Sequence, residues 1–165
     1  MKSSNNISRT SHAFSLLAFV LISELAGIIG SLFTMSAIPT WYAGLVKPAL
    51  NPPGWVFGPV WTLLYLLMGV AAWLVWREGW GKIEVKVALG FFALQLILNA
   101  AWSLIFFGGH NPAVALLEIL ALWLAILGTI IAFARVSKPA AWLLVPYLLW
   151  VSFATYLNFA IWLLN

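Results

Sequence analysis

The chain has 165 residues, of which 64% are hydrophobic and only 7% charged, against roughly 25% charged in an ordinary soluble domain. A water-soluble fold of this size cannot hide so much apolar surface, so lipid must be its solvent, and one compact domain is expected. The lack of cysteine excludes disulfides, thiolate metal sites and a cysteine nucleophile, and the net charge of +4 comes from basic residues scattered between apolar runs, not from the basic stripe that nucleic acid requires.

Five continuous apolar runs follow in chain order: Ala13 to Ile38, Trp55 to Trp76, Val85 to Phe107, Ala113 to Ala134 and Ala140 to Leu164. Each exceeds the roughly 20 residues a membrane helix needs. The predicted fold is therefore an all-α membrane protein, a bundle of five transmembrane helices spanning 13–165 after a short cytoplasmic segment, 1–12. The first run follows Lys2 and Arg9 as a signal peptide would, but it is longer than a signal core and four more spans come after it. Lys2 and Arg9, then Arg77, Lys82 and Lys86, then Arg135 and Lys138 fall on one side of such a bundle, and only Lys47 falls on the other. The positive-inside rule thus predicts a cytoplasmic amino terminus and an extracytoplasmic carboxyl terminus.

The connections are short except the first, Pro39 to Gly54, where Pro48, Pro52 and Pro53 predict a stiff lid over the bundle end, or else a simple re-entry turn with interfacial tryptophans. Asn111 and Pro112 read as the cap and first turn of the fourth span. Pro146 removes a backbone hydrogen bond to Trp142 and predicts a kink in the fifth. His12 and His110 are too far apart in the chain to suggest a metal site.

Within the spans, Gln95, Asn99, Trp102 and Phe106 recur at steps of four, three and four and share one face of the third helix. Amides in hydrocarbon need partners, so this face must meet a neighbouring helix, water or a ligand. Trp61, Tyr65, Met68, Ala72 and Trp76 form a stripe on the second span; Tyr147, Trp150, Ala154, Asn158 and Ile161 form another on the fifth, and the two can face each other. Of eleven tryptophans, Trp41, Trp55, Trp76, Trp80, Trp142 and Trp162 lie near span ends and suit an interfacial belt. Trp61, Trp73, Trp102, Trp123 and Trp150 lie deeper, where a flat indole suits either packing or an aromatic-lined cavity. Kink and lid together predict a pocket in the extracytoplasmic half, between spans two, three and five. Glu24 and Glu118 are the only carboxylates inside spans, and each needs a polar partner, as a protonated structural group or as a site of proton or ligand chemistry.

Three stretches carry a resemblance. The string from Trp41-Tyr42-Ala43-Gly44-Leu45 through Lys47-Pro48 to Pro52-Pro53-Gly54-Trp55 and on to Tyr65, the stretch Gln95 to Ser103 with Phe106-Phe107-Gly108, and Pro146 to Trp150 with Ala154 to Asn158 resemble, in order, the first loop with the second helix, the third helix and the fifth helix of the translocator protein family, also called tryptophan-rich sensory proteins. The resemblance implies a membrane receptor or sensor for porphyrins such as protoporphyrin and haem, and for sterol or benzodiazepine-type ligands, with no required cofactor. It also implies light-dependent porphyrin breakdown at two pocket tryptophans, which fall on Trp61 and Trp150; no acid/base pair, nucleophile or metal site supports conventional turnover. The candidate ligand-binding residues are Trp41 and Lys47 in the lid, Trp61 and Tyr65 on span two, Gln95, Asn99 and Trp102 on span three, and Tyr147, Trp150 and Ala154 on span five. Lys47 would reach porphyrin propionates, or else simply snorkel.

Two positions depart from the family's pattern. Leu50 stands where a tryptophan is common, and no Lys or Arg follows Tyr156 within five residues, so the carboxyl-terminal sterol motif is incomplete. The rival reading is a porphyrin or anion transporter, with Glu24 and Glu118 coupling protons. A homodimer through span three, with Ala88, Gly90 and Ala93 allowing close approach, is also expected from the family.

Overall fold

In lipid a spanning segment must satisfy its own backbone hydrogen bonds, and long apolar runs without β-periodicity do so as helices. The computed structural model describes the backbone of residues 3–165 and the side chains of residues 12–165. Its elements are α1 (Ser3–Ala37), α2 (Trp41–Gly44), α3 (Gly54–Trp76), α4 (Ile83–Ser103), continued by a π-helical turn (Leu104–Gly108), α5 (Pro112–Val136), α6 (Lys138–Leu143) and α7 (Val145–Leu164). Five of the described stretches are long and apolar enough to cross a membrane: His12–Ala37, Gly54–Trp76, Ile83–Gly108, Pro112–Val136 and Lys138–Leu164. All five predicted spans are thus present. The first helix begins ten residues earlier than its apolar run, at Ser3, so much of the segment expected to precede it is helical. Lys2 and the side chain of Arg9 lie outside the described residues.

Local chemistry sets the boundaries. The Asn111 side chain accepts a hydrogen bond from the Val114 N–H at 3.0 Å, with Pro112 in the first turn of α5, as its sequence predicts. The fifth span breaks at Leu144 into α6 and α7, and Pro146 occupies the first turn of α7, where its missing N–H costs nothing. The end of the third span could not be foreseen as a π turn: the Gly109 N–H reaches back five residues to the Leu104 carbonyl at 2.8 Å.

Small residues set the helix spacing. A Cβ at Gly69 of α3 would lie 2.5 Å from the Val20 Cα, so α1 and α3 pack backbone to backbone. Around the bundle the order is α3, α1, α4, α5, α7. The ring closes where α6 packs on α3; farther along, the α3 and α7 backbones stand apart and only aromatic side chains bridge them. The main core, with Met68, Ala72, Val75, Val85, Ala88, Ile126, Phe133 and Ala140 all fully buried, fills the closed part. Ala88 is therefore spent inside the chain and is not free to meet a second copy, whereas Gly90 and Ala93 are exposed.

The first connection is a pinned lid containing the short helix α2, which the proline pattern did not reveal. The Trp41 ring stacks on His110 at 4.6 Å and meets Phe106 edge-on at 5.6 Å. Tyr42 donates to Asn51 Oδ1 at 3.0 Å, closing the loop on itself. Val46 exchanges two hydrogen bonds with the Asn165 side chain, at 3.0 and 3.1 Å, which fastens the lid to the far end of α7.

Candidate ligand cavity

Where α3 and α7 diverge, a cavity of about 440 Å³ opens, within the range of small-molecule sites. The aromatic stripes do face each other across it. Trp61 stacks on Tyr65 at 5.5 Å and meets Tyr147 edge-on at 6.2 Å, and Phe57 of α3 meets Trp150 of α7 edge-on at 6.0 Å. Trp61, Tyr65, Asn99, Trp102, Trp150 and Ala154 all line the cavity.

The other four candidates stand elsewhere. Tyr147 is fully buried behind the wall and supports it through Asn99. Gln95 is fully buried one turn deeper than Asn99, its amide nitrogen 3.8 Å from the Met68 sulfur and its Oε1 without a partner among the described residues. Trp41 belongs to the lid stack and contributes no wall. Lys47 turns its ammonium to the carbonyls of Ala43 and Leu45, at 3.3 and 3.0 Å, and over the Tyr42 ring at 4.8 Å, so it caps the lid and does not face the chamber.

A polar relay holds the deep wall. Tyr65 donates to Asn99 Oδ1, Asn99 donates from Nδ2 to the Tyr147 hydroxyl at 3.0 Å, and one buried amide thereby fixes two phenols from two other helices. Nearer the lid, the Trp102 indole donates to Asn158 Oδ1 at 3.0 Å, and Asn158 donates to the Pro112 carbonyl at 2.7 Å, which joins α4, α7 and the start of α5. The deeper indoles then separate into two groups. Trp73 donates to Ser15 at 3.2 Å, Trp102 to Asn158 and Trp123 to Ser152 at 2.8 Å. Trp61 and Trp150 both line the cavity, and their N–H groups have no acceptor among the described residues.

Sequence reasoning missed one whole wall. The cavity is bounded by α1 as well as by spans two, three and five, through Glu24, Gly27, Ile28, Gly30, Ser31, Thr34, Met35 and Ile38, and Ile119 and Leu122 bring the fourth span to it too. Their spacing of three and four residues was visible, but α1 is apolar on every side, which hides which stripe faces inward. Tyr42 of the lid and Phe106 and Phe107 of the π turn complete the roof. Glu24 lines the cavity, whereas Glu118 lies outside it with both carboxyl oxygens buried and no hydrogen-bond partner among the described residues, contrary to the polar partner expected of it. No group of three or more His, Cys, Asp or Glu among the described residues is placed to hold a metal ion.

Fold and chamber together define a polytopic membrane protein with an intramembrane cavity walled by indoles. The comparison with known proteins makes this specific: a profile of the TspO/MBR family matches residues 19–163. The chain is 54% identical over 139 residues to the tryptophan-rich protein TspO of Chlorobaculum tepidum, covering 84% of this chain and 88% of that one. It is 44% identical over 147 residues to the human translocator protein, covering 88% and 87%, and 44% identical over 126 residues to the tryptophan-rich sensory protein of Cereibacter sphaeroides, covering 76% and 77%. The chain belongs to the TspO/MBR family.

Proposed function

We propose that this protein is a membrane receptor that takes a porphyrin, protoporphyrin or haem, into the cavity beneath the lid, with its ring against Trp61 and Trp150. The observation that carries this reading is the pair of unspent indoles: of the three deep tryptophans that line the cavity, Trp102 is bonded to Asn158, whereas the N–H groups of Trp61 and Trp150 have no acceptor among the described residues. A largely apolar chamber with a few fixed polar groups suits a flat, mostly apolar guest. Light absorbed by a porphyrin held there would act beside two oxidisable indoles, which supports breakdown of the guest under illumination. Lys47 has its ammonium engaged by lid carbonyls, so propionate recognition would require it to swing away. Sidedness follows the charge pattern, with the amino terminus cytoplasmic, and Gly90 and Ala93 on the exposed face of α4 provide a close-approach surface for a homodimer.

The test is a titration of the purified protein with protoporphyrin, read by quenching of tryptophan fluorescence and then by absorbance during illumination. Trp61→Phe and Trp150→Phe should each weaken binding about three- to ten-fold, the worth of one aromatic contact and its N–H, and should slow bleaching. Unchanged affinity and unchanged bleaching in both variants would reject the site. Radiolabelled porphyrin crossing a proteoliposome membrane would instead favour a carrier.

A further inference from the structure

The Glu24 carboxylate has no part in the reading above. The stripe of α1 that lines the cavity runs from Ile38 at the lid to Glu24, and at 1.5 Å per residue this sets Glu24 about 20 Å below the lid, near the middle of the bilayer. It sits level with Tyr65, whose ring packs directly against Gly27, one turn along from Glu24. An ionisable group at such depth calls for a partner. The cavity offers no charged one: among the described residues no Lys, Arg or His lines it. Five of its hydroxyls are already committed, Ser31 to the Ile28 carbonyl, Thr34 to Gly30, Thr62 to Gly58, Tyr42 to Asn51 and Tyr65 to Asn99, and the remaining one, Ser103, lies against Gly30, six residues along α1 from Glu24. The deep end of a largely apolar, aromatic-walled chamber thus holds a carboxylate that receives no hydrogen bond from the described residues.

A guest that brings its own positive charge completes this arrangement. A protonated nitrogen would form a charge-assisted hydrogen bond with Glu24 in a low-dielectric setting, while the rest of a flat aromatic body would lie against Trp61 and Trp150, whose faces also attract cations. We infer that Glu24 is a specificity determinant of the cavity, selecting flat aromatic molecules that carry a basic nitrogen over neutral molecules of the same shape. The inference rests on the cavity being the ligand site.

Two probes of similar outline separate the possibilities: 9-aminoacridine, a cation near neutral pH, and anthracene, which is neutral. Binding to the protein in phosphatidylcholine nanodiscs is read by energy transfer from tryptophan, with empty nanodiscs correcting for partition into lipid. The wild-type protein should prefer the cation by about ten-fold or more, the worth of one charge-assisted contact. In Glu24→Gln the ratio of the two affinities should fall to within about two-fold, and in Glu24→Asp it should stay intermediate. Thermal unfolding of each variant confirms that the bundle persists. Equal affinity for both probes in the wild type, or a ratio untouched by Glu24→Gln, would overturn the role of Glu24 while leaving the cavity as a site. If neither probe binds beyond empty nanodiscs, or Ala154→Trp, which fills the chamber, alters neither affinity, the ligand site itself fails and the inference falls with it.

Discussion

Asn99 shows how much one amide can hold. It accepts from Tyr65 and donates to Tyr147, so replacing it by alanine leaves two buried phenols unpaired. Asn99→Ala should destabilise the protein by about 2 to 4 kcal/mol, read as a lower thermal midpoint in detergent. Its inward direction was legible in the sequence, because an amide on a hydrophobic helix has nowhere else to go. Gln95 carries the same logic and the same face, yet it is not in the chamber; a difference of one turn places it among Met68 and the closed core, and periodicity alone does not specify depth. Tyr42 makes a different prediction. Burial raises the pKa of its phenol and the Asn51 hydrogen bond partly offsets this, so the neutral form favours the docked lid. The stabilisation is complete below the ordinary tyrosine value near 10 and is lost as pH rises through the raised one. Amide exchange in residues 41–51 should therefore accelerate at strongly alkaline pH in the wild type, and the Tyr42-dependent part of that acceleration should vanish in Tyr42→Phe.

Among the elements, α1 and α3 are held closest, because Gly69 has no side chain. Gly69→Ala places a carbon against the Val20 backbone, which cannot rotate away as a side chain would. Loss of about 1 to 3 kcal/mol is expected, measurable as faster unfolding, together with a change in the affinity of the proposed porphyrin guest as α1 shifts as a wall of the chamber. Elements whose boundaries depend on strong local chemistry were readable in advance: the cap at Asn111, the break before Pro146 and the stiffened first loop. The π turn was not, since residues 104–108 look like ordinary helix and only the packing of Phe106 against Trp41 and Trp102 reveals why an extra residue is accommodated. The role of α1 was hidden for the opposite reason, a surplus of apolar residues on every side.

For the molecule as a whole, the count of spans followed from hydropathy alone, whereas the path of the helices around the bundle depends on contacts between small residues that no single run displays. Sidedness can be checked directly, because the chain has no native cysteine. With the amino terminus in the cytoplasm, Lys82→Cys should react with an impermeant maleimide only from the cytoplasmic side, and Ala49→Cys only from the opposite side. The bundle is joined at α6, and from there α3 and α7 diverge as two arms around the chamber. Lateral pressure from the surrounding acyl chains presses on both arms. A thicker or more tightly ordered bilayer should then narrow the gap and a looser one should widen it, making guest occupancy a function of the host membrane's physical state even where no lipid occupies the chamber.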